Sequence, residues 1–293
     1  MINDKVFVIG AGFMGGGIAQ VCAQAGCQVW LMDQSSAALQ KAQAGMAASL
    51  GRLHAKGLVS DAPAAVLARV TDCDDLAPAA EADWVIEVVP ESEKLKLAIF
   101  AQVDAIAPER AILASNTSSI PITRLAAATK RPQRFVGLHF FGPVPLMKLV
   151  EVVRGAQTSE QTMEAATAFC RALGQTPVRV RQDIPGFVMN RIFAAAFAEA
   201  LKLVDDGVVT PWEADIGMRL GYGWSAGPFE IADNAGLDVH LLVSEFFKSV
   251  GEERIKEHSD LVRRMVAQGK LGRKSGEGFY RYDAAGKRLI PQD

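Results

Sequence analysis

A glycine-rich turn near the start of the chain constrains the fold more than any other feature. The apolar run 5–9 leads directly into Gly10, Gly12 and Gly15, and an alanine-rich segment with helical spacing follows. A second apolar run then ends at Asp33. A strand, a glycine turn, a helix and a second strand ending at an acid form the βαβ unit that binds a dinucleotide.

Each glycine of this turn answers a physical need. Gly10 permits a tight turn, Gly12 lets the backbone approach a pyrophosphate, and Gly15 lets helix and strand pack closely, while the helix N-terminus offers N–H groups to phosphate. We expect Asp33 to bind the hydroxyls of the adenosine ribose. No arginine follows it, so NAD is favoured over NADP. The alternative is a purely structural turn.

Further apolar runs predict a sheet. Helical patterns separate the earlier runs, and this alternation is typical of an α/β protein with a Rossmann-like, doubly wound, mainly parallel sheet. The predicted strands after the first two lie at 84–89, 111–114, 135–138 and 148–153.

The pattern changes near residue 184, and every later segment has helical spacing. Thr210 and Glu213 flank Pro211 as in a capping box, which predicts a helix start. Other predicted helices lie at 190–204, 228–232, 238–250 and 260–268. We therefore predict a dinucleotide-binding domain at 1–184 and a second, all-helical C-terminal domain at 185–293.

The composition excludes several classes of function. A net charge of −2 over 293 residues gives no general attraction to nucleic acid or to acidic membranes. No run of about 18 uncharged apolar residues predicts a membrane span. The cysteines show no Cys-x-x-Cys spacing and no charged leader with a cleavage site precedes the first strand, so we expect reduced thiols in a cytoplasmic protein. They are Cys22, Cys27, Cys73 and Cys170.

A histidine and a carboxylate stand out between apolar segments. His139 follows the run 135–138, and Glu151 lies inside the run 148–153. A histidine whose second ring nitrogen meets a carboxylate is held in one tautomer and can take a proton near neutral pH, as alcohol oxidation requires. We predict that Glu151 orients His139 as a general base. The alternative is a core histidine bonded to a backbone carbonyl.

Five motifs along the whole chain resemble those of short-chain L-3-hydroxyacyl-CoA dehydrogenases, the single-function type close to 3-hydroxybutyryl-CoA dehydrogenases. They are the glycine turn, a Ser-Asn-Thr-Ser-Ser segment, the His-Phe-Phe segment with the residues up to Glu151, a Pro-Gly-Phe segment with the next Asn-Arg, and a Lys-Ser-Gly-Glu-Gly-Phe-Tyr segment. Their positions are 10–19, 115–119, 139–151, 185–191 and 274–280.

The resemblance implies oxidation of the 3-hydroxyl of an acyl-CoA to a ketone, with NAD as the hydride acceptor, and the reverse reduction. It implies no metal. His139 would remove the hydroxyl proton and Glu151 would stabilise the imidazolium. Ser118 would hydrogen-bond the reacting oxygen or the thioester, and Asn190 would reach across a cleft to the substrate. Without the resemblance, Ser118 is a turn or helix cap and Asn190 a helix-start residue.

The resemblance also assigns cofactor contacts. Glu91 and Lys96 match positions near the nicotinamide ribose, and Asn116 and Lys274 match other cofactor positions. On their own, Glu91 and Lys96 would be solvated helix charges, and Lys274 a surface lysine in a flexible turn.

Contacts to the CoA part of the substrate are implied for Ser49 and Lys56, since a lysine suits a phosphate-bearing ligand. A solvated helix face is the alternative. The family usually has asparagine where this chain has Gly142. The absence of the asparagine amide would remove a polar contact to the acyl-CoA or make room for a bulkier or polar acyl tail. The resemblance therefore does not fix the preferred length of the acyl chain.

Two rival functions share this pattern. One is an NAD-dependent dehydrogenase of a polar hydroxy acid or polyol, of the gulonate or carnitine type, and the other is a non-catalytic, crystallin-like NADH-binding protein. His139-Phe140-Phe141 and Lys56 favour the CoA thioester. The resemblance implies fatty acid metabolism, with β-oxidation, butyrate or polyhydroxyalkanoate metabolism and aromatic breakdown as the alternative pathways. Phe193 and Phe197 lie on a wide apolar helix face, which predicts a homodimer through the C-terminal helical domain.

Overall fold

The computed structural model describes residues 3–249, 251 and 260–289. Its chain divides into two compact units, residues 1–187 and 188–293. This division lies close to the boundary that we predict after residue 184, and that boundary stays a prediction.

The first unit is built on an eight-stranded sheet with the order β3-β2-β1-β4-β5-β6-β7-β8. Strands β1 to β6 run parallel, β7 is antiparallel to β6, and β8 is parallel to β7. The predicted mainly parallel, Rossmann-like sheet is confirmed. Its strands are β1 (Lys5–Ile9), β2 (Gln28–Met32), β3 (Val70–Cys73), β4 (Trp84–Glu87), β5 (Ile112–Ser115), β6 (Phe135–Phe140), β7 (Leu149–Val153) and β8 (Thr176–Val180).

Among the described residues, six α-helices accompany this sheet, and the longest of them has a side-chain cap. The Ser35 hydroxyl accepts a hydrogen bond from the backbone N–H of Ala38 and so caps α2. The six are α1 (Phe13–Ala25), α2 (Ser36–Ala55), α3 (Pro63–Leu67), α4 (Glu93–Ile106), α5 (Ile122–Ala126) and α6 (Glu160–Ala172).

Three strands differ from the sequence prediction: β3 and β8, the two edge strands of the sheet, were not predicted, and β6 is longer than predicted. β3 was not predicted because its Val-Thr-Asp-Cys sequence is polar and its side chains are half-buried or exposed at the sheet edge. β6 extends to Phe140, so His139 lies inside the strand rather than after it. The extension follows from the antiparallel pairing of residues 137–140 with β7, a long-range contact that the apolar run 135–138 alone does not encode.

The glycine turn has the predicted strand-turn-helix form. Gly10 has a φ of 111°, and a Cβ there would lie 2.8 Å from the Val88 carbonyl oxygen. A Cβ at Gly15 would lie 1.8 Å from the Gly10 carbonyl oxygen, so the close approach of helix to strand requires glycine. A Cβ at Gly12 would meet nothing within 4 Å. The fold itself therefore requires Gly10 and Gly15 but places no demand on Gly12.

The second unit is mainly helical, as predicted. The Thr210 hydroxyl and the Glu213 carboxylate form the predicted capping box at the start of α8. A two-stranded hairpin, β9 (Arg281–Tyr282) with β10 (Arg288–Leu289), adds strand to a region predicted to be all-helical. The helices are α7 (Met189–Asp205), α8 (Pro211–Tyr222), α9 (Pro228–Ala235), α10 (Leu237–Ser249) and α11 (Asp260–Ala267). The predicted end of α10 at residue 250 lies outside the described residues.

Two buried aspartates hold the C-terminal segment of this unit. Asp233 accepts hydrogen bonds from the backbone N–H groups of Phe279 and Tyr280, both at 2.9 Å, and from the Tyr282 hydroxyl at 3.0 Å. Asp215 accepts one from the Tyr280 hydroxyl at 2.7 Å. These contacts attach the segment to the helices, with Tyr280 buried in the unit's core and Tyr282 of β9 packed half-buried against it. Among the described residues, no helix has the length and apolarity needed to cross a bilayer.

Candidate active site

His139 and Glu151 form a buried pair in the first unit. They lie directly opposite each other in the antiparallel β6–β7 ladder, where side chains of paired residues share one face of the sheet. His139 Nδ1 lies 2.8 Å from Glu151 Oε2. His139 is 7% exposed and Glu151 is 0% exposed. The sheet register therefore produces the pair that the sequence predicts.

The surroundings of the imidazole are aromatic. The His139 ring centroid lies 4.6 Å from that of Phe141 and 5.8 Å from that of Phe187. Phe187 has a positive φ of 49°, a backbone conformation that non-glycine residues seldom adopt. Apolar neighbours keep water away from the pair, which strengthens the attraction between a protonated imidazole and the carboxylate.

The contact to Glu151 assigns the histidine tautomer. A carboxylate at Nδ1 accepts a hydrogen bond, so Nδ1 carries the proton and Nε2 presents a lone pair. A second proton at Nε2 would create an imidazolium next to the ionised carboxylate. The pair is therefore chemically able to accept a proton from a bound hydroxyl and return it.

A second polar group lies at the carboxyl ends of β4 and β5. Glu91 Oε1 accepts hydrogen bonds from the Thr117 hydroxyl at 2.5 Å, the Ser118 N–H at 3.1 Å and the Ser119 N–H at 3.1 Å. Burial raises the pKa of Glu91. The charge of Lys96 and the hydrogen bonds from the Thr117 and Ser119 hydroxyls lower that pKa by more, so it lies below its ordinary value. The structure thus brings Glu91 and the Ser118 segment together in one loop cluster.

Lys96 is buried rather than solvated. Its side chain is 1% exposed, and Nζ lies 2.6 Å from Glu87 Oε1, 3.1 Å from the Val89 carbonyl oxygen and 3.3 Å from Glu91 Oε2. The sequence reasoning missed Glu87, although a carboxylate inside the apolar run 84–89 was a visible signal. Lys96 is therefore joined to both acids, and the alternative of a solvated helix charge is wrong for it.

Asn116 connects this cluster to the strand of the histidine. Its side-chain oxygen accepts a hydrogen bond from the Phe140 N–H at 2.9 Å. Phe140 directly follows His139 in β6. The amide therefore fixes the loop after β5 against the end of β6, next to the candidate base.

Asp33 lies against the glycine turn. Its Oδ2 accepts a hydrogen bond from the Ala11 N–H at 2.9 Å, and its Oδ1 accepts one from the Ser35 N–H at 2.9 Å. The carboxylate is thereby held beside the turn at the end of β2. Together with the open space at the Gly12 Cβ position, this arrangement fits a dinucleotide that passes over the turn.

The remaining predicted site residues are more dispersed. Ser49 lies on α2, and Lys56 is exposed at its C-terminal end, so both are on a helix surface. In the second unit, Asn190 is the second residue of α7. There, Lys274 Nζ lies 2.6 Å from Asp238 Oδ1, and the contact holds the C-terminal segment against α10.

Position 142 is more crowded than the sequence suggests. A Cβ on Gly142 would lie 2.7 Å from Phe13 Cε1 and 3.0 Å from Met14 Sδ. The space that a side chain would occupy is therefore filled by the first residues of α1. Phe13 itself is 73% exposed. Gly142 accommodates the glycine turn rather than leaving an empty volume beside His139.

No cluster of three or more histidine, cysteine, aspartate or glutamate side chains suited to a metal ion occurs among the described residues.

Comparisons with known proteins identify the family of the chain. Residues 5–184 match the NAD-binding domain of 3-hydroxyacyl-CoA dehydrogenase, and residues 186–282 match its C-terminal domain. The chain is 47% identical to a probable 3-hydroxybutyryl-CoA dehydrogenase of Deinococcus radiodurans, over 95% of this chain and 100% of the relative. It is 41% identical to the mitochondrial hydroxyacyl-coenzyme A dehydrogenase of Rattus norvegicus, over 96% of this chain and 92% of the relative.

A solved structure gives the same result. The (S)-3-hydroxybutyryl-CoA dehydrogenase of Ralstonia eutropha superposes with a TM-score of 0.89 at 44% identity, covering 96% of this chain and 100% of that one. The chain therefore belongs to the 3-hydroxyacyl-CoA dehydrogenase family, which comprises NAD-dependent oxidoreductases that act on the CH–OH group.

Proposed function

We propose that the chain reversibly oxidises an L-3-hydroxyacyl-CoA to the 3-ketoacyl-CoA. The observation that carries this proposal is the buried His139–Glu151 pair, with 2.8 Å between Nδ1 and Oε2. A base of this kind is what removal of a hydroxyl proton requires, and family membership supports the choice of substrate class.

The proton step belongs to His139. Its Nε2 accepts the proton of the 3-hydroxyl as the C3–H bond breaks, and Glu151 stabilises the imidazolium that results. In the reducing direction the imidazolium returns this proton to the ketone oxygen. The low exposure of both side chains keeps water from competing for the charge.

NAD, when bound, supplies the hydride acceptor. The residues of this chain that would hold it are Gly10, Gly12 and Gly15 at the turn, and Asp33 at the ribose hydroxyls. Glu91 is the member of the second polar group with an exposed side chain, at 38%, so we assign it to the nicotinamide ribose. We assign Asn116 to the same end of the cofactor and Lys274 to its outer contact. Lys96 is buried, so we assign it to this end of the cofactor through its ion pair with Glu91 rather than by direct contact.

Four polar residues are assigned to the acyl-CoA. Ser118 donates to the reacting oxygen or the thioester, and Asn190 binds the acyl part. Ser49 and Lys56 meet the CoA moiety, where the exposed ammonium of Lys56 suits a phosphate. Each assignment rests on the family pattern at these positions; Lys56 is exposed and Ser118 is half-buried.

We also propose that the chain forms a homodimer through its second unit. The predicted basis for this in Phe193 and Phe197 is wrong, because Phe197 is buried in the unit's own core and Phe193 packs half-buried against that core. Other side chains supply apolar surface, which favours association: Ile192 on α7, Leu220 on α8 and Leu242 on α10 are each more than half exposed. A sedimentation profile with only monomer at micromolar concentration would contradict this.

The four cysteines are free thiols, which supports a reducing compartment such as the cytoplasm.

The test is NADH consumption with a series of 3-ketoacyl-CoA thioesters from four carbons upwards. Free acetoacetate and NADPH serve as controls, and His139→Gln is the matched inactive variant. We expect turnover of thioesters with NADH alone and a loss of about 10²-fold or more in the variant, which keeps NADH binding. NADH binding without turnover of any thioester would refute the proposal and favour a polar hydroxy acid or a non-catalytic role.

A further inference from the structure

Glu87 is a buried carboxylate that the proposed mechanism does not use. It is the last residue of β4, it is 0% exposed, and the three residues before it in the strand are buried and apolar. An isolated carboxylate in such a place is strongly unfavourable, so buried acids are paired and hydrogen-bonded. The partners of Glu87 therefore indicate its role.

Both carboxylate oxygens of Glu87 are occupied. Oε1 lies 2.6 Å from Lys96 Nζ and accepts a hydrogen bond from the Val89 N–H at 2.7 Å. Oε2 accepts one from the Ser115 hydroxyl at 2.6 Å. Ser115 is the direct neighbour of Glu87 in the parallel β4–β5 pairing. Burial raises the pKa of Glu87, and the Lys96 charge offsets the shift only in part.

These contacts continue into a closed ring of hydrogen bonds. Lys96 Nζ lies 3.3 Å from Glu91 Oε2, and Glu91 Oε1 accepts a hydrogen bond from the Thr117 hydroxyl at 2.5 Å. The Thr117 N–H donates back to the Ser115 hydroxyl oxygen at 3.2 Å. The ring thus joins the carboxyl ends of β4 and β5, where ligands of such sheets bind.

The ring places two groups of the candidate site. Glu91 accepts the backbone N–H of Ser118, so the position of the Ser118 segment depends on Glu91. Glu91 in turn depends on Lys96, whose three N–H donors meet Glu87, Glu91 and the Val89 carbonyl oxygen. Glu87 is the most deeply buried carboxylate in this chain of contacts, and it anchors Lys96 and Ser115 at the same time.

We propose that Glu87 is a positioning residue which, through Lys96, holds Glu91 and the Ser118 segment in the geometry that binds the nicotinamide nucleotide. The assignment of Glu91 to the nucleotide rests on the proposed function. Glu87 touches neither substrate nor cofactor. Its negative charge keeps the single ammonium of Lys96 between two carboxylates, and its second oxygen fixes the β5 loop through Ser115.

A double-mutant cycle on NADH binding tests this inference. Glu87→Gln, Glu91→Gln and the double variant are compared by the Kd for NADH from fluorescence titration. Glu93→Gln is the matched control, because Glu93 lies on the same segment but pairs at the surface with Arg124. We expect each single variant to raise the Kd about tenfold, the control to leave it unchanged, and the double variant to resemble Glu91→Gln, because coupled residues are not additive.

Two outcomes would overturn the inference. One is an unchanged NADH Kd in Glu87→Gln, and the other is a double variant whose Kd rises by the product of the single effects. A purely structural role for Glu87 would lower the melting temperature without this non-additivity. If Glu87→Gln does not fold, Ser115→Ala replaces it in the double-mutant cycle with Glu91→Gln. Ser115→Ala removes the hydroxyl that closes the ring without a change of charge, and the same two outcomes, an unchanged Kd or an additive cycle, would overturn the inference.

The binding assay also separates this inference from the proposed function. A wild-type chain that binds NADH but turns over no thioester would refute the proposed function while the cycle still reports on Glu87. A chain that turns over thioesters with an additive cycle would refute only the role of Glu87.

Discussion

Replacement of Glu151 by glutamine is the sharpest test of the histidine pair. The change removes the charge that faces His139 Nδ1 at 2.8 Å and keeps the size of the side chain. Because Glu151 is 0% exposed, water cannot supply a substitute for the lost charge. The neutral amide still accepts a hydrogen bond from Nδ1, so the imidazole should keep its place while the imidazolium loses its stabilisation.

The magnitude follows from the strength of a charged hydrogen bond. A hydrogen bond to a charged group contributes about 1.5–3 kcal/mol, and about 1.4 kcal/mol corresponds to a tenfold change in rate. Since the imidazolium forms as the hydroxyl proton leaves, this energy is lost mainly in the transition state. The amide keeps a neutral hydrogen bond of about 0.5–1.5 kcal/mol, so the loss is the difference between the two, about 1–1.5 kcal/mol. We expect kcat for the oxidation of L-3-hydroxybutyryl-CoA by NAD to fall by about 5- to 10-fold.

The assay is steady-state NAD reduction with L-3-hydroxybutyryl-CoA, beside a fluorescence titration of NADH. Glu164→Gln is the matched control, because Glu164 is an exposed carboxylate on α6 of the same unit. The reasoning is refuted if Glu151→Gln keeps kcat within about twofold of wild type. Equal loss of kcat and NADH affinity would indicate collapse of the site rather than loss of charge.

Three further predictions concern other features of the first unit. Gly12→Ala should change the free energy of unfolding by less than about 0.5 kcal/mol, as measured by urea unfolding, because the new Cβ meets nothing within 4 Å. The same variant should raise the Kd for NADH by about tenfold or more in a fluorescence titration, and an unaltered Kd would contradict the prediction. Gly142→Asn should displace the Phe13 ring and raise the KM for NADH without altering the preference among thioester lengths. An unchanged KM for NADH with an altered preference among thioester lengths would instead show that position 142 faces the acyl tail. Iodoacetamide should label Cys73 before the buried Cys22, Cys27 and Cys170, and mass spectrometry showing Cys170 labelled first would disprove this. Labelling of Cys73 should be slow, because burial and the carboxylates of residues 72, 74 and 75 raise the pKa of its thiol to about 11. The labelling rate should rise about tenfold per pH unit below that pKa, because the thiolate is the reactive form.

Local features of the site could be predicted because they depend on neighbouring residues. The spacing of Gly10, Gly12 and Gly15 after an apolar run implies a strand-turn-helix unit, and the structure has it. Asp33 at the end of the next run is likewise a local signal, and it lies against the turn through the Ala11 N–H. The capping box at Thr210 is a third case, since its two partners are three residues apart.

Features that depend on distant residues required the structure. Lys96 follows an acid-rich turn and has the sequence context of a solvated lysine, yet it is buried between two carboxylates. The pairing of Glu87 with Ser115 depends on the β4–β5 register, which no local pattern encodes. β3 was missed because a polar edge strand has no apolar run to reveal it.

The division between the two levels has a physical basis. By itself, the sequence determined the βαβ unit, the two kinds of secondary structure along the chain and the candidate base His139, because backbone turns and side-chain periodicity are set by residues close in the chain. The tertiary structure decided the antiparallel register that sets the predicted partner Glu151 opposite His139. It also decided that Phe13 fills the space at Gly142 and that Glu87 closes a ring with Lys96. Those contacts arise only when strands align, because register brings together residues that are far apart in the sequence.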